Sequence, residues 1–252
     1  MGSSFRFKQF EVRDELSAMK VGPDGVLLGA WVSLELPDSP TGRGQTSPSV
    51  LDVGTGTGVI ALMLAQRLAA AGFAQEPGGV RIVGIDIDAP SVEEAAANFA
   101  ASPWAASLSA QLSDFKDFEG SYDFIVCNPP YFTGSLKAPD ARRTAARHNA
   151  ALPQSVLIDG ALRCMAPSGR LAVVLPCDEA ARLIGEARGR GLFPARICHV
   201  STCVGKKPKR TLVELSRRAV SAPSCEELAI QTSGGDFTPE YRSLTKAFYL
   251  KF

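Results

Sequence analysis

Residues 49–58 read SVLDVGTGTG, a short apolar run followed at once by three glycines at alternate positions. The run is typical of a buried strand, and an Ala- and Leu-rich stretch of helical character follows the glycines. Glycines at such a turn let the backbone approach a ligand closely, and the N-terminus of the next helix offers unpaired N–H groups. We therefore predict a strand over 49–53 and a helix over 58–71, with a ligand-binding loop between them.

The spacing of the glycines narrows the class of ligand. A dinucleotide-binding loop has the pattern G-x-G-x-x-G and a Walker loop ends in G-K-[ST], and the sequence matches neither. Here an acid, Asp52, precedes Gly54, Gly56 and Gly58 in the order acid-x-G-x-G-x-G. We expect these four residues to bind a cofactor, and the acid favours a positively charged one.

The chain beyond this loop indicates an α/β fold. Short apolar runs alternate with longer Ala-rich stretches, which is the pattern of a parallel sheet with crossover helices. Two alternating runs separated by VGKKPK indicate an antiparallel hairpin over 195–202 and 210–217, which would close the edge of the sheet. We predict a doubly wound, mostly parallel sheet of seven strands. The remaining strands are expected over 81–86, 109–113, 122–128 and 170–176, and the remaining helices over 89–101, 153–166 and 178–190.

The domain organisation follows from one compositional change. Proline, glycine, serine and threonine dominate residues 37–49, which we interpret as a linker. It separates an N-terminal segment, residues 1–36, from a main domain over residues 50–252. The total of 252 residues suits one large domain with a small appendage.

Composition and charge restrict the function. With 27 Lys and Arg against 26 Asp and Glu, a net charge of +1 gives no global attraction for nucleic acid or membranes, so a polyanion site must be a local patch. No apolar stretch approaches the roughly 18 residues of a membrane span, and the chain does not start with the apolar core of a signal peptide. We therefore expect a cytoplasmic protein. The six cysteines form no C-x-x-C pair, so we expect reduced thiols, mostly in the core.

Acidic residues follow the second and third strands of the main domain. The second strand ends at Asp86, where a carboxylate can accept both hydroxyl hydrogens of a ribose. Asp88 stands before Ala89-Pro90 and is better explained as the cap of the next helix. After the third strand, Asp114 is a candidate to bind the adenine amine of a nucleoside cofactor. The alternative for Asp114 is a solvated carboxylate in a loop.

The fourth strand delivers the tetrapeptide Asn128-Pro129-Pro130-Tyr131 to the C-terminal edge of the sheet, where open α/β sheets bind ligands. Two prolines fix an extended turn and remove two N–H donors, so carbonyl acceptors are left exposed. The Asn128 amide oxygen and the Pro129 carbonyl can accept both hydrogens of a planar amine, and Tyr131 offers a face for stacking a flipped base. These three residues are the predicted catalytic group.

Together these motifs resemble the S-adenosylmethionine-dependent methyltransferases that modify exocyclic or amide nitrogens. Further stretches make the chain similar to the bacterial tRNA1(Val) adenine N6-methyltransferases, which act on adenine 37 beside the anticodon. These stretches are FKQF (7–10), AMKVGPDG (18–25), LGAW (28–31), ARH (146–148) and FYLK (248–251). One residue departs from the family pattern, Pro23, where Thr is expected.

The resemblance implies a Rossmann-like methyltransferase fold, S-adenosylmethionine as cofactor and tRNA as substrate. It also implies that the N-terminal segment folds over the cofactor, with Lys20, Gly22 and Asp24 near the pocket. Methyl transfer to adenine N6 would then be direct, with Asn128 and Pro129 orienting the amine. Positioning of this kind supplies much of the acceleration.

Two basic segments are candidate contacts to tRNA phosphates. Residues 204–218 carry six Lys and Arg against one acid, and residues 134–147 carry four against one. Lysines on a hairpin also protect a sheet edge from pairing, so a solvated face is the alternative. The expected contacts are Lys206, Lys207, Lys209, Arg210, Arg142, Arg143, Arg147 and the adjacent His148, for which packing within its loop is the alternative.

Metal and protein partners are not expected. His199 stands near Cys198 and Cys203, but adjacent side chains on a strand point to opposite faces and cannot close a metal site together. We also expect no membrane contact and no obligate protein partner.

Other functions are compatible with parts of the pattern. The main alternative is a protein methyltransferase acting on a glutamine amide of a release factor, because the same acceptors fit a carboxamide. A DNA adenine methyltransferase is a weaker rival, since the sequence has no evident target-recognition domain. The glycine spacing and the NPPY tetrapeptide disfavour an NAD-binding module or dehydrogenase.

Overall fold

The computed structural model describes residues 3–35, 47–73, 79–130 and 152–252. The helices in these ranges are α1 (Pro23–Trp31), α2 (Val59–Ala70), α3 (Ala89–Ala100), α4 (Gln154–Cys164), α5 (Cys177–Gly189) and α6 (Pro239–Thr245). The strands are β1 (Ser4–Arg6), β2 (Glu11–Arg13), β3 (Ser49–Val53), β4 (Arg81–Asp86), β5 (Leu108–Leu112), β6 (Tyr122–Cys127), β7 (Met165–Pro176), β8 (Phe193–Cys203), β9 (Arg210–Ser216) and β10 (Ser224–Gln231).

The described strands of the main domain form one sheet in the order β10-β8-β9-β7-β6-β3-β4-β5. The five strands from β5 to β7 are parallel, and β9 lies antiparallel between β7 and β8. The predicted mostly parallel α/β fold with an antiparallel hairpin is confirmed. Eight strands replace the predicted seven, because β10 pairs in parallel with β8. The hairpin therefore does not close this edge of the sheet, and β10 does.

Helices cover both faces of the sheet, and β6 shows how its side chains are divided between them. Phe124 and Val126 pack with α1, α2 and α3 on one face, while Ile125 and Cys127 pack with α4 and α5 on the other. This alternation is the period of two of a strand. Each fully buried large apolar side chain contributes about 1.5–3 kcal/mol relative to an exposed one, so the two layers fix the register of the sheet and hold its edge in place.

The N-terminal segment joins the end of the chain in an aromatic cluster. β1 and β2 form a two-stranded antiparallel sheet, and the Phe7 ring after β1 stacks on Phe10 at 4.5 Å between centroids. Phe7 also stacks on Tyr249 at 6.1 Å, and the Lys8 N–H donates to the Phe248 carbonyl at 2.8 Å. The stretches FKQF and FYLK are thus one packing unit.

Helix α1 explains how the chain accommodates Pro23. Gly22 is its N-cap and Pro23 is its first residue. Proline is favoured at this position, because its missing N–H would have no helical partner and its φ is already helical. The substitution therefore suits the start of this helix.

The described helices include none that is long and apolar enough to cross a membrane. All six cysteines are free thiols. Cys127, Cys164 and Cys198 are buried, whereas Cys225 is exposed. The expected absence of disulfides agrees with this arrangement, but only half of the cysteines are core residues.

Candidate active site

A cavity of about 580 Å³ opens where β3, β4, β5 and β6 reach their C-terminal ends. Val53, Asp86, Asp114 and Asn128 each stand at or just after one of these ends and line it. The N-terminal segment supplies another wall with residues 17–20 and 22–25. The predicted glycine loop, the strand-end acids, and Asn128 and Pro130 of the NPPY motif are therefore brought to one site.

The glycine loop has a backbone that only glycine adopts without strain at three places. Gly54, Gly56 and Gly58 have φ values of 69°, 55° and 81°, in the left-handed region. At Gly58 a Cβ atom would also lie 2.4 Å from Cε1 of the buried Phe99 ring. The N–H groups of Gly54 and Thr55 both donate to the Ile85 carbonyl at 2.9 Å, which ties the loop to the end of β4.

Asp52 was expected to bind the cofactor, and a direct contact would require it to line the cavity. It lies behind the loop instead and is not among the described residues of the cavity wall. Its side chain is fully buried. Oδ2 accepts from Thr55 Oγ1 at 2.8 Å and from the Ala61 N–H at 3.3 Å, so the carboxylate supports the loop and the start of α2. Burial raises the pKa of Asp52 to about 7.

Asp86 lies on the cavity wall at the end of β4. Its Oδ2 accepts from the Gly56 N–H at 3.0 Å and its Oδ1 from the Asp88 N–H at 3.0 Å, which fixes the carboxylate in one orientation. Burial raises its pKa. A carboxylate has about four acceptor sites, so both oxygens keep capacity for hydroxyl groups.

The other two strand-end acids differ in their surroundings. Asp88 caps α3 by accepting from the Ser91 N–H at 3.1 Å, which confirms the predicted cap. Asp114 is exposed on the cavity wall and accepts from the Lys116 N–H at 2.9 Å. Its carboxylate therefore faces the cavity from a short turn after β5.

Asn128 follows β6 and lines the cavity. Its Oδ1 is buried and has no hydrogen-bond partner among the described residues. Its Nδ2 lies near Gly25, since a Cβ atom added to Gly25 would be 3.8 Å from this nitrogen. A buried polar atom without a partner is costly, so this oxygen is poised for a donor supplied by a ligand.

The prolines that follow complete the described part of the motif. Pro130 lines the cavity and Pro129 is buried. Tyr131 lies outside the described residues, as do Arg142, Arg143, Arg147 and His148. Their assigned roles stay predictions.

The N-terminal wall carries the two charged residues that the resemblance implied. Lys20 lines the cavity, with its Nζ 3.7 Å from Asp14 Oδ1. Asp24 lines it as well, and its Oδ2 lies 2.8 Å from Arg210 Nε. The sequence patterns did not single out Ser17, Ile87 or Lys116, which also face the cavity. Their positions depend on how the N-terminal segment meets the loops after β4 and β5, and no local sequence motif indicates that contact.

The basic turn between β8 and β9 lies at the same edge of the sheet as the cavity. Arg210 pairs with Pro176, the last residue of the parallel strand β7. Lys206, Lys207 and Lys209 are exposed in this turn. Arg217 and Arg218 follow the other end of β9, where Ser216 pairs with Arg170 near the start of the parallel part of β7. The segment 204–218 is therefore not one surface.

The described residues include no group of three or more His, Cys, Asp or Glu side chains arranged to hold a metal ion. His199 Nδ1 lies 3.2 Å from Thr211 Oγ1 on the neighbouring strand. This contact gives the imidazole a hydroxyl partner within the sheet.

Comparisons with known proteins agree with this geometry. A family model described as a methyltransferase domain matches residues 46–226. A protein of Parabacteroides distasonis named tRNA1(Val) (adenine(37)-N6)-methyltransferase is 42% identical over 251 residues, covering 98% of each chain. A protein of the same name from Bacteroides fragilis is 39% identical over 252 residues, again covering 98% of each.

A solved structure is similar in fold. A predicted O-methyltransferase from Agrobacterium tumefaciens, protein Atu636, superposes with a TM-score of 0.63 over 89% of this chain and 96% of its own, at 17% identity. At that identity the likeness concerns the fold alone, and it is the Rossmann-like methyltransferase fold that the sequence predicts.

Proposed function

The chain belongs to the family of the tRNA1(Val) (adenine(37)-N6)-methyltransferases, and we propose that it transfers a methyl group from S-adenosylmethionine to N6 of adenine 37 in that tRNA. The observation that carries the assignment of the site is Asn128 on the cavity wall at the end of β6, whose buried Oδ1 has no hydrogen-bond partner among the described residues. This oxygen is a hydrogen-bond acceptor, and the planar amine of adenine is a donor that could pair with it.

The residues around the cavity fit the cofactor. The carboxylate of Asp86, held by two backbone N–H groups, is proposed to accept the ribose hydroxyl hydrogens. Asp114 is proposed to accept from the adenine amine of the cofactor, and Gly54 and Gly56 on the cavity wall to let it approach the loop, whereas Gly58 does not line the cavity. Lys20 is the cationic group on the N-terminal wall, and it is proposed to pair with the carboxylate of the cofactor. When bound, S-adenosylmethionine supplies a methyl group activated by its positively charged sulfonium.

The chain's own contribution to the reaction is orientation. In adenine the lone pair of the exocyclic amine is delocalised into the ring, which makes it a poor nucleophile. Asn128 Oδ1 and the Pro129 carbonyl are proposed to accept the two amine hydrogens and so direct the lone pair into the cavity, with Tyr131 stacking on the base. Positioning effects reach about 7–11 kcal/mol of a reaction barrier.

Methylation leaves an extra proton on N6, and the resulting cation is acidic enough to release that proton to water, so no side chain next to Asn128 is needed as a nucleophile or base. Cys127 is fully buried, and burial together with the nearby Asp52 and Asp86 carboxylates raises its thiol pKa well above the usual range. The thiol therefore stays protonated during the reaction. Asp52 supports the glycine loop and takes no part in proton transfer in this proposal.

An RNA substrate is favoured over a glutamine side chain by the position of the basic turn. Lys206, Lys207 and Lys209 lie on the edge of the sheet where the cavity opens, and Arg210 at the end of the turn is paired with Asp24 on the cavity wall. Phosphates of a bound RNA would meet these cations close to the reacting base. A glutamine substrate would leave this turn without a role.

Incubation with labelled S-adenosylmethionine, unmodified tRNA and a release factor in separate reactions tests the proposal. We expect N6-methyladenosine in the tRNA, detected by nucleoside mass spectrometry, and no label in the release factor. Label in the protein alone would contradict the proposal and support the glutamine alternative. Thermal stabilisation by S-adenosylhomocysteine and not by NAD checks the cofactor independently. A cytoplasmic location and the function of residues 1–36 as a cover over the pocket stay predictions.

A further inference from the structure

The N-terminal segment reaches the cavity through a stretch that we call the strap, residues 13–20. Its last four residues, 17–20, line the cavity. Two side chains of α3, Glu94 and Asn98, form hydrogen bonds with the backbone of the strap. Neither residue lines the cavity. They are four residues apart, so they share one face of the helix, and only 3% and 2% of their surfaces are exposed. Both are polar side chains placed in the core without a role in the chemistry described above.

Glu94 binds three consecutive N–H groups of the strap backbone. Glu15 and Leu16 donate to Oε1, the second at 2.9 Å, and Ser17 donates to Oε2 at 2.8 Å. Successive N–H groups that point to one place form an anion-binding concavity, and a buried carboxylate is costly without such hydrogen-bond partners. The carboxylate therefore fixes the path of the strap just before it enters the cavity wall.

Asn98 ties the same strap to the glycine loop. Its Oδ1 accepts from the Arg13 N–H at 2.9 Å. Its Nδ2 donates to the Arg13 carbonyl and to the Thr57 carbonyl, both at 2.9 Å. Thr57 stands between Gly56 and Gly58, so one amide group bridges the strap and the loop.

We propose that Glu94 and Asn98 are positioning residues for the cofactor pocket. They hold the strap and the glycine loop at a fixed separation, so that residues 17–20 already form one wall of the pocket in the free protein. Binding then needs no ordering of the strap, and preorganisation of this kind increases affinity. The inference rests on the proposed function for the identity of the cofactor.

Glu94→Gln is the first test, because it keeps the shape of the side chain but turns an amide NH₂ toward backbone donors. Glu93→Gln on the exposed side of the same helix is the matched control. In Glu94→Gln we expect faster hydrogen exchange in peptides covering residues 13–20 and about tenfold weaker binding of S-adenosylhomocysteine by calorimetry. The KM for S-adenosylmethionine should rise by about the same factor, while kcat at saturation changes by less than about twofold.

A second variant, Asn98→Ala, removes the bridge to the loop without changing the charge of the protein. It tests the inference if Glu94→Gln does not fold. It should show the same two changes. A strap that exchanges faster while affinity stays at the level of the control would overturn the inference, as would unchanged exchange in both variants. If the unmodified protein binds no S-adenosylhomocysteine, the proposed function and this inference both fail, whereas loss of the difference between variant and control removes this inference alone.

Discussion

Arg210 Nε lies 2.8 Å from Asp24 Oδ2, so an ion pair joins the first residue of β9 to a residue on the wall of the cavity. Both side chains are mostly shielded from solvent, with 28% and 18% exposed. The basic turn that precedes Arg210 is thereby anchored to the N-terminal segment. This contact connects the proposed RNA surface with the proposed cofactor pocket.

The ion pair should appear as coupling in a double-mutant cycle. Arg210→Gln and Asp24→Asn are each expected to raise the KM for tRNA, and the double variant should lose less than the sum of the two effects. We expect a coupling of about 0.5–1 kcal/mol, since a partly exposed pair gains little from Coulomb attraction. Methylation kinetics of the four proteins measure it. Strict additivity would show that the two residues act independently on tRNA.

Asn128→Ala should strongly slow methylation while leaving cofactor binding intact. The variant removes Oδ1, which has no hydrogen-bond partner among the described residues and is proposed to hold the adenine amine. We expect kcat to fall about 100-fold or more, because misplacement of a reacting group has effects of this size. Single-turnover methylation and calorimetry with S-adenosylhomocysteine separate the two functions. Near-normal turnover in Asn128→Ala would contradict the assignment of the site.

The lysines of the basic turn should govern the salt dependence of tRNA binding. Lys207→Gln is expected to weaken binding and to reduce the slope of log K against log salt by about one phosphate contact. Arg218→Gln is the matched control, because Arg218 is exposed at the opposite edge of the sheet. Titrations between about 50 and about 200 mM salt measure both slopes. Equal slopes for the two variants would place the RNA elsewhere.

Local sequence patterns predict most of the main-domain fold. The strands over Ser49–Val53 and Arg81–Asp86 have the predicted bounds, because both are short, mostly apolar runs followed by turn residues. β10 was not predicted because half of its sequence SCEELAIQ is polar and only Leu228 is buried, as suits a strand at the edge of the sheet. The insertion of β9 between β7 and β8 depends on pairing between distant residues, which a hairpin pattern does not specify.

The residues of the site also fall into those that the sequence could predict and those that it could not. The glycine loop, Asp86 and Asn128 could be found because each stands at a fixed offset from the end of a strand. Glu94 could not, since its role arises when a strap more than 70 residues earlier in the chain folds onto α3. Asp52 could be found as part of the motif, but its place behind the loop follows from the packing of α2 and not from the spacing of the glycines.

Asp52 should make stability fall as pH rises. Its pKa is about 7 in the folded protein against an ordinary value of 3.8, so between these values the folded state binds more protons than the unfolded state. Its contribution to stability is present at low pH, is lost progressively as pH rises toward about 7, and then stays constant. Asp52→Asn keeps an acceptor for Thr55 and Ala61 without the charge, so its Tm advantage over the unmodified protein should be larger at about pH 8.5 than at about pH 5.

Thermal melts of Asp52→Asn and of Asp117→Asn across this range check the prediction, since Asp117 is an exposed loop residue. For a chain of this length each kcal/mol shifts Tm by about 2–4 °C. A Tm difference that does not vary with pH would show that the Asp52 carboxylate has the same pKa in both states.

Two glycines of the loop separate backbone strain from steric clash. Gly54 and Gly58 both have positive φ, but a Cβ atom at Gly54 meets nothing within 4 Å, whereas one at Gly58 lies 2.4 Å from Phe99 Cε1. Gly54→Ala should therefore cost about 1–2 kcal/mol from the backbone alone. Gly58→Ala should cost about 1–3 kcal/mol more, because the buried ring must move.

The variant Gly58→Ala with Phe99→Leu tests the cause of that excess. The smaller side chain frees space near the loop, so the pair should be less destabilised than the sum of its single changes, while the strain of the positive φ persists. Urea unfolding of the single and double variants measures the coupling, and S-adenosylhomocysteine binding reports whether the loop regains its shape. If Gly54→Ala and Gly58→Ala are equally destabilised, the Phe99 ring yields without cost and the glycine at position 58 is required for its φ alone.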